Sequence, residues 1–562
     1  MGPVLAAKFI DLRGVNMDRT AAGQQRKWTR FEHPVAFWAG VAACTAGVAL
    51  HLPMYYDARG MGYMMAGMQP DPEMIIGMVL IVAGLAAALY GLVSRGSRQI
   101  REKAGQIRVR ALDDAPLRMR HVALLVVLSI AIVIDVMKPA ALAFVAPGMA
   151  HEYGLKAATN PHGHIPVSLL PLFGITGTVI GSLIWGWLAD RIGRRSSILF
   201  AGLLFVSTSI CGAMPGFSWN LLMCFFMGIG AGGMLPIAFA LLAETIPARH
   251  RSWLMVLVGG GVSGAGYVLT SWLAGALTPH YSWRILWLIG LPTGLIFLAL
   301  NYWIPESPRF LLAAGRPREA EAIMAQFGAE VIAMPEEREV GEGRGRERFR
   351  QLFEAPFTGS SVAIGVLAVG VGLITYGFQL WIPTNLQHLG YTTVNSDYIV
   401  RNAALIGLPI SFVATVLYGF WSSKKTIILS FGLVALTLFG FVIAGNSLAH
   451  NHALLLTLLV VPLSGIPLVG AIITVYASEV YPTGIRSRGT GLAAGVTKAG
   501  GVLIIALVVA ATTTPSIALT AVIGAVPLLL GLAIFAWVGR ETRNRRLEEI
   551  SSAEFAVASV QR

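Results

Sequence analysis

The chain has 562 residues, of which 55% are hydrophobic and only 13% charged, and its mean hydropathy is +0.67. An ordinary soluble domain carries about 25% charged residues, so the composition excludes a water-exposed globule and points to a chain embedded in a bilayer. The formal net charge of +13 does not indicate nucleic acid, because Lys and Arg fall mostly in short segments between apolar runs, which is a topology signal.

Residues 1–33 are polar and basic (Arg19, Arg26, Lys27, Arg30), and an apolar run begins near Pro34. No convincing small-x-small cleavage site follows it, so it reads as a retained membrane helix rather than a signal peptide. A spanning helix needs about 20 apolar residues, and about fourteen such runs are present. They centre near Ala43, Leu80, Ile132, Thr176, Phe205, Gly230, Gly264, Ile296, Val371, Ser411, Ala435, Val469, Leu503 and Leu528. Gly and Pro inside them are tolerated, because neighbouring helices satisfy the freed backbone groups. Cys44, Cys211 and Cys224 all lie within runs and read as small packing residues, not a disulfide or metal site.

The basic loops set an expected orientation. With the N-terminus cytoplasmic, that side receives 95–120, Arg191, Arg194, Arg195, Arg249, Arg251, the loop 305–358, Lys424, Lys425, Arg486, Arg488 and the tail from Arg540. The other side keeps little beyond Arg59, Lys156 and His280, which predicts cytoplasmic termini in a plasma (cell inner) membrane.

The chain also repeats itself. Glu244, Pro247 and Arg251 return as Glu479, Pro482 and Arg486 at an offset of 235 residues, and Glu306-Ser307 returns as Glu541-Thr542 at the same offset. Duplicated helical halves holding substrate between them at mid-membrane are a common plan of secondary transporters. The expected fold is therefore an all-α integral membrane protein of two six-helix bundles plus two additional N-terminal helices. Its predicted parts are a cytoplasmic segment 1–33, an extra helix pair 34–94, a basic linker 95–120, a first bundle 121–304, an inter-bundle loop 305–358, a second bundle 359–538 and a tail 539–562. Within the loop, Ser307 to Phe327 has helical spacing and reads as a surface helix beneath the bundle.

Gly186-Trp-Leu-Ala-Asp190-Arg191-Ile-Gly193-Arg194-Arg195 resembles the loop signature between the second and third helices of the major facilitator superfamily. Pro305-Glu306-Ser307-Pro308-Arg309, with Arg540-Glu541-Thr542, resembles its sugar-porter and metabolite:proton-symporter branches. The resemblance covers about 120–550. It implies a cytoplasmic gate with Asp190 as latch carboxylate and Arg191, Arg194 and Arg195 as its basic surroundings. Glu244 with Arg251, and Glu479 with Arg486, would be matching charge pairs, with Glu306 and Arg309 beside them. Two departures stand out. At constant offset Asp190 maps onto Lys425, so the second latch is degenerate, and Cys224 stands where the family often has an Arg on the fourth core helix.

An ionisable residue at mid-bilayer costs about 2.5–3.5 kcal/mol on insertion scales and is a functional hypothesis by default. Asp135, Lys138 and Lys498 are such residues, and their counterparts at the repeat offset are Gly370, Leu373 and Ser263, so none is duplicated. Asp135 is the expected proton carrier, with Lys138 and Lys498 attracting a substrate carboxylate or phosphate; a permanent Asp135–Lys138 clasp is the bland alternative. Tyr376, Gln379, Trp381 and Asn385 suit stacking and hydrogen bonding to a small organic solute, although Trp381 also fits an interfacial belt.

In the added pair, His51, Met54, Met61, Met64, Met65 and Met68, with His162 and His164 in the next outer loop, raise copper(I) handling against plain methionine packing. No metal site, cofactor, nucleotide-binding signature or nucleic-acid partner is expected, nor an enzyme. The expected function is proton symport of a small organic metabolite of the carboxylate type by alternating access. A sugar or polyol transporter and a transporter-like sensor are the alternatives.

Overall fold

The structure, a computed structural model, describes residues 33–93, 115–157, 160–329, 349–481, 483–511 and 516–542. Among them are thirteen helices long and apolar enough to cross a membrane, and the shorter apolar helix Ile285–Leu300 corresponds to the remaining run. The added pair is α1 (Pro34–Ala49) and α2 (Pro72–Leu92). The first set of six comprises α3 (Met119–Glu152), α4 (Leu169–Ile192), α5 (Arg194–Ser207), α6 (Phe217–Thr245), α7 (Ala248–Tyr281) and α8 (Ile285–Leu300). The second comprises α9 (Thr358–His388), α10 (Thr393–Phe420), α11 (Ser423–Ala444), α12 (His452–Val480), α13 (Thr483–Ala511) and α14 (Ile517–Val538). This is the all-α membrane fold expected from the sequence.

Glycine decides how α1 and α2 meet. Gly77, Gly84 and Gly91 recur every seven residues along α2 and face Gly47, Gly40 and the Phe37 backbone of α1 in turn. With no hydrophobic force between helices in lipid, such small residues allow the close backbone approach that holds a pair together. A Cβ on Gly84 would stand 2.7 Å from both Gly40 O and Cys44 Sγ. The pair leans on α5, and the most apolar stretch of the α5 span is 94% buried. Gly84→Val is expected to cost about 1–3 kcal/mol and lower the unfolding midpoint in detergent. Gly60→Val, in open space, should leave that midpoint unmoved.

Two spans leave α-helical geometry where the two sets meet. A π segment, Leu257–Val262, interrupts α7, and α9 carries a π segment, Ile374–Phe378, followed by a 3₁₀ turn, Gln379–Trp381. Such bulges concentrate at functional positions. The Gly259-Gly260-Gly261 run in α7 brings its backbone against Leu468 and Ala471 of α12. The other seams join α7 to α10, α4 to α13 and α3 to the end of α9. The stretch expected as one surface helix is two, Pro308–Ala313 and Pro317–Gln326, because the chain turns at Gly315, whose φ is +72°. Phe327 then packs on His121 at the start of α3, with ring centroids 4.9 Å apart.

Candidate functional site

The duplicated glutamates explain themselves as helix caps. Glu306 accepts from the amides of Arg194 (2.7 Å) and Arg195 (3.2 Å) at the start of α5, and from its neighbour Ser307 (2.9 Å). Glu541 does the same for α11, accepting from the Ser423 amide (2.9 Å) and hydroxyl (2.5 Å) and from the Ser422 hydroxyl. Free N–H groups at a helix start favour a carboxylate. Burial pushes the Glu306 carboxyl above its ordinary value while the three amides pull the other way. Gly193 is needed here: its φ is +94°, and a Cβ would run into the Glu306 carboxylate. Gly186, by contrast, faces open space.

These caps correct the repeat register. Arg194 and Ser423, the capped helix starts, lie 229 residues apart (423 against 194), because the second half reaches its helix six residues sooner. Asp190 therefore corresponds to Gly419 and not to Lys425. The absence of a carboxylate there has a use: Gly419 lets Trp253 of α7 lie against α10, where Trp253 also meets Phe420.

Within the first set, Arg194 pairs with Asp190 at 3.0 Å and with Glu244 at 3.7 Å, and Arg191 lies over the Trp187 ring at 3.9 Å. Arg251 donates to Ile246 O (3.0 Å), and Arg195 and Arg309 are half-buried alongside. Glu479 accepts from Tyr418 Oη (2.8 Å) and Thr542 Oγ1 (2.5 Å) and also bonds Ser252 of α7, so this contact crosses between the sets. The Arg486 side chain lies outside the described residues.

Three charges sit deep in the membrane, and the structure separates them. Lys138, 2% exposed, donates to Phe205 O and to Thr208 Oγ1 (2.8 Å) and lies 4.2 Å from the Phe205 ring centroid. It lines a narrow crevice inside the first set, beside Met137, Thr270, Gly290 and Thr293. Lys138 and Asp135 form no ion pair, so the permanent clasp weighed as the bland alternative is absent. Asp135, 9% exposed, has no hydrogen-bond or ion-pair partner among the described residues. Lys498 reaches from α13 across the seam to Thr178 O of α4 at 3.3 Å. One turn along α13, a Cβ on Gly501 would meet Ile175 of α4, 2.5 Å away, and the Tyr376 ring of α9. Lys498 and Tyr376 thus share the α4–α13–α9 seam, and Lys138 does not join them.

The break in α9 gathers unmet polar atoms. Trp381 is 1% exposed, which removes it from a lipid-facing belt, and its Nε1 is buried without a partner. Thr384 Oγ1 and Asn385 Nδ2 are likewise buried and unpartnered, while Gln379 O accepts from Tyr267 Oη of α7 at 3.4 Å. The sequence reading missed Asp397, whose Oδ1 is buried without a partner on α10. It stands in the polar stretch Asn395-Ser396-Asp397, ahead of the apolar run centred near Ser411, and helix α10 extends beyond that run to include it. Among the described residues no group of three or more His, Cys, Asp or Glu side chains could hold a metal ion. His51 gives its Nδ1 to Gly47 O at 2.7 Å, within the hairpin.

A family model described as Major Facilitator Superfamily matches residues 128–506. The chain is 28% identical over 411 residues to the niacin transporter NiaP of Acinetobacter baylyi, covering 70% of this chain and 88% of that one. It is also 28% identical over 408 residues to the 4-hydroxybenzoate transporter PcaK of the same species, covering 70% and 85%. In fold it is similar to the proton:xylose symporter XylE bound to 6-bromo-6-deoxy-D-glucose, with a TM-score of 0.62 at 19% identity, over 78% of this chain and 99% of that one. The chain belongs to the Major Facilitator Superfamily, and it is a multi-pass membrane transporter rather than an enzyme.

Proposed function

We propose that the protein is a secondary active transporter that moves a small organic acid together with protons by alternating access. The observation that carries this reading is the seam at which Lys498, Tyr376 and the first set's Thr178 meet. A cation and a ring between two bundles suit a planar carboxylate, and rocking the bundles would expose that seam to each side in turn. The relatives support the same class, since niacin and 4-hydroxybenzoate are both ring-bearing carboxylic acids. Asp135, a buried membrane carboxylate with no hydrogen-bond or ion-pair partner among the described residues, serves as the proton carrier. Lys138, committed to Phe205 and Thr208, is assigned to the packing of the first bundle. The basic loops favour a cytoplasmic location for the face bearing Asp190, Glu306 and Glu479, with both termini on that side of the cell's inner membrane.

A sugar or polyol is the second reading, favoured by the amides of Gln379 and Asn385. Proteoliposomes holding a pH-sensitive dye distinguish the two when aromatic acids, aliphatic acids and sugars are added in turn. Proton movement is expected with an acid pool alone. Movement with sugars alone would replace the substrate class, solute entry without protons would leave a uniporter, and no flux of any kind would favour a sensor.

A further inference from the structure

We propose that Asp397 is a second proton-binding site of the transporter, carried by the second bundle and closed off by the seam between α7 and α10. The inference rests on the proton-coupled reading above and extends it. Asp397 is the fifth residue of α10, yet only 2% of it is exposed. It does not cap the helix: the Thr392 hydroxyl takes the Asn395 amide at 3.2 Å, and Thr392 O takes Ser396. Its Oδ1 has no donor among the described residues.

An ionised carboxylate in that setting would be costly, and such a group instead keeps its proton. No neighbour is placed to prevent this. From α7, the titratable group within electrostatic range is Tyr267, whose hydroxyl is already committed to Gln379 O. Arg401, one turn further along α10, stacks over the Tyr398 ring at 4.5 Å and bonds Asn402 Oδ1 at 2.7 Å. His280 of α7 meets Tyr281, His452 of α12 meets Tyr391, and His388 closes α9. The lysines of α11, Lys424 and Lys425, sit at its opposite end, beside the Glu541 cap.

Water access to Asp397 is tied to the seam. The adjacent Tyr398 lies so close to α7 that a Cβ on Gly275 would meet its ring at 2.7 Å. Moving the bundles apart along α7 and α10 therefore uncovers Asp397, and closing them buries it again. A carboxylate that is protonated when buried, and wetted from each side in turn as the bundles rock, binds a proton on one side and releases it on the other once per cycle. In the 229-residue register set by the helix starts, the first bundle has Ser168 and no carboxylate, so the group is not duplicated scaffolding.

The charge count makes this testable. One proton per monocarboxylate is electroneutral; a second, at Asp397, makes each cycle carry one positive charge. Such a charge is worth about 50-fold in accumulation per 100 mV of membrane potential. In proteoliposomes with a valinomycin potassium potential of about 100 mV and no pH gradient, the wild type should concentrate niacin or 4-hydroxybenzoate about 50-fold, using whichever probe it carries. Asp397→Asn should lose that response and keep the response to a pH gradient, while Asp397→Glu restores it. Equal potential dependence in wild type and Asp397→Asn, or none in the wild type, overturns the proposal. A second measurement needs no substrate. The infrared difference spectrum of the purified protein should lose one protonated-carboxyl band in Asp397→Asn, distinct from the band lost in Asp135→Asn. An unchanged band overturns the Asp397 site, whereas absent flux with the band present overturns only the transport reading.

Discussion

Asp135→Asn should remove one proton from each transport cycle and weaken pH-driven accumulation while leaving solute exchange in place. The substitution is nearly isosteric, and Asp135 has no hydrogen-bond or ion-pair partner among the described residues to lose, so the bundle should keep its fold. What disappears is the ability to carry a proton through the closed state. A gradient of one pH unit is worth about 1.4 kcal/mol per proton, close to a tenfold concentration ratio. The wild type, placed under that gradient without a membrane potential, should therefore concentrate its acid at least about tenfold. Asp135→Asn should fall about tenfold below the wild type under the same gradient, while exchange of labelled for unlabelled solute continues. Loss of both accumulation and exchange would mean that Asp135 helps to hold substrate. Retention of both would remove it from coupling.

The fold was legible because its signals are physical and repeated. Apolar runs long enough to span fixed the helix count, and the 235-residue echo of Glu306 in Glu541 marked two halves. The pairing of those glutamates with helix starts was not legible, because the partners are backbone amides, which no residue pattern records. The register slip from 235 to 229 stayed hidden for a related reason: with no carboxylate in the second loop, nothing in the sequence marked where Asp190 should fall. Lys138 shows a different limit. Three residues from Asp135 on a helix, it reads as a partner. The polar atoms of Phe205 and Thr208 on α5 compete for its ammonium and win, and the tertiary packing that brings α5 to α3 cannot be seen from helix spacing. Asp397 escaped notice for the opposite reason, since it stands in a polar stretch ahead of the apolar run near Ser411 while the helix extends to bury it.

The added hairpin likewise gave no motif, and its role lies in a buried hub on the face opposite the duplicated glutamates. Glu152, the last residue of α3, accepts the amides of Met65 (2.7 Å) and Ala66 (3.0 Å) from the α1–α2 connection. The same carboxylate takes Arg284 Nη2 at 2.6 Å and Trp283 Nε1 at 2.9 Å. Arg284 is fully buried: its Nη1 donates to Gly212 O and Met214 O and its Nη2 also to Tyr153 Oη, while its Nε is buried without a partner among the described residues. One carboxylate thereby ties the hairpin loop, the end of α3 and the start of α8 together, while Tyr55 adds a bond to Tyr281 O at 2.8 Å.

Glu152→Gln should accordingly be the most destabilising single change in the hairpin contact. Removing one partner of a buried pair leaves an uncompensated charge on Arg284 and costs about 3–5 kcal/mol. The unfolding midpoint in detergent should fall steeply, and Cys44, buried where the hairpin meets α5, should become reactive to a membrane-permeant maleimide. Replacing both residues, as Glu152→Met with Arg284→Met, separates the two effects. A buried pair exchanged for apolar side chains of similar volume is often nearly neutral, so the first bundle should recover most of its midpoint. The Met65 and Ala66 amides would still lack their acceptor, at about 1–3 kcal/mol for each group left unsatisfied, so Cys44 should stay reactive. An unmoved midpoint and an unreactive Cys44 in Glu152→Gln would instead mean that the glycine stripe of α1 and α2, with their contact on α5, holds the hairpin without the hub.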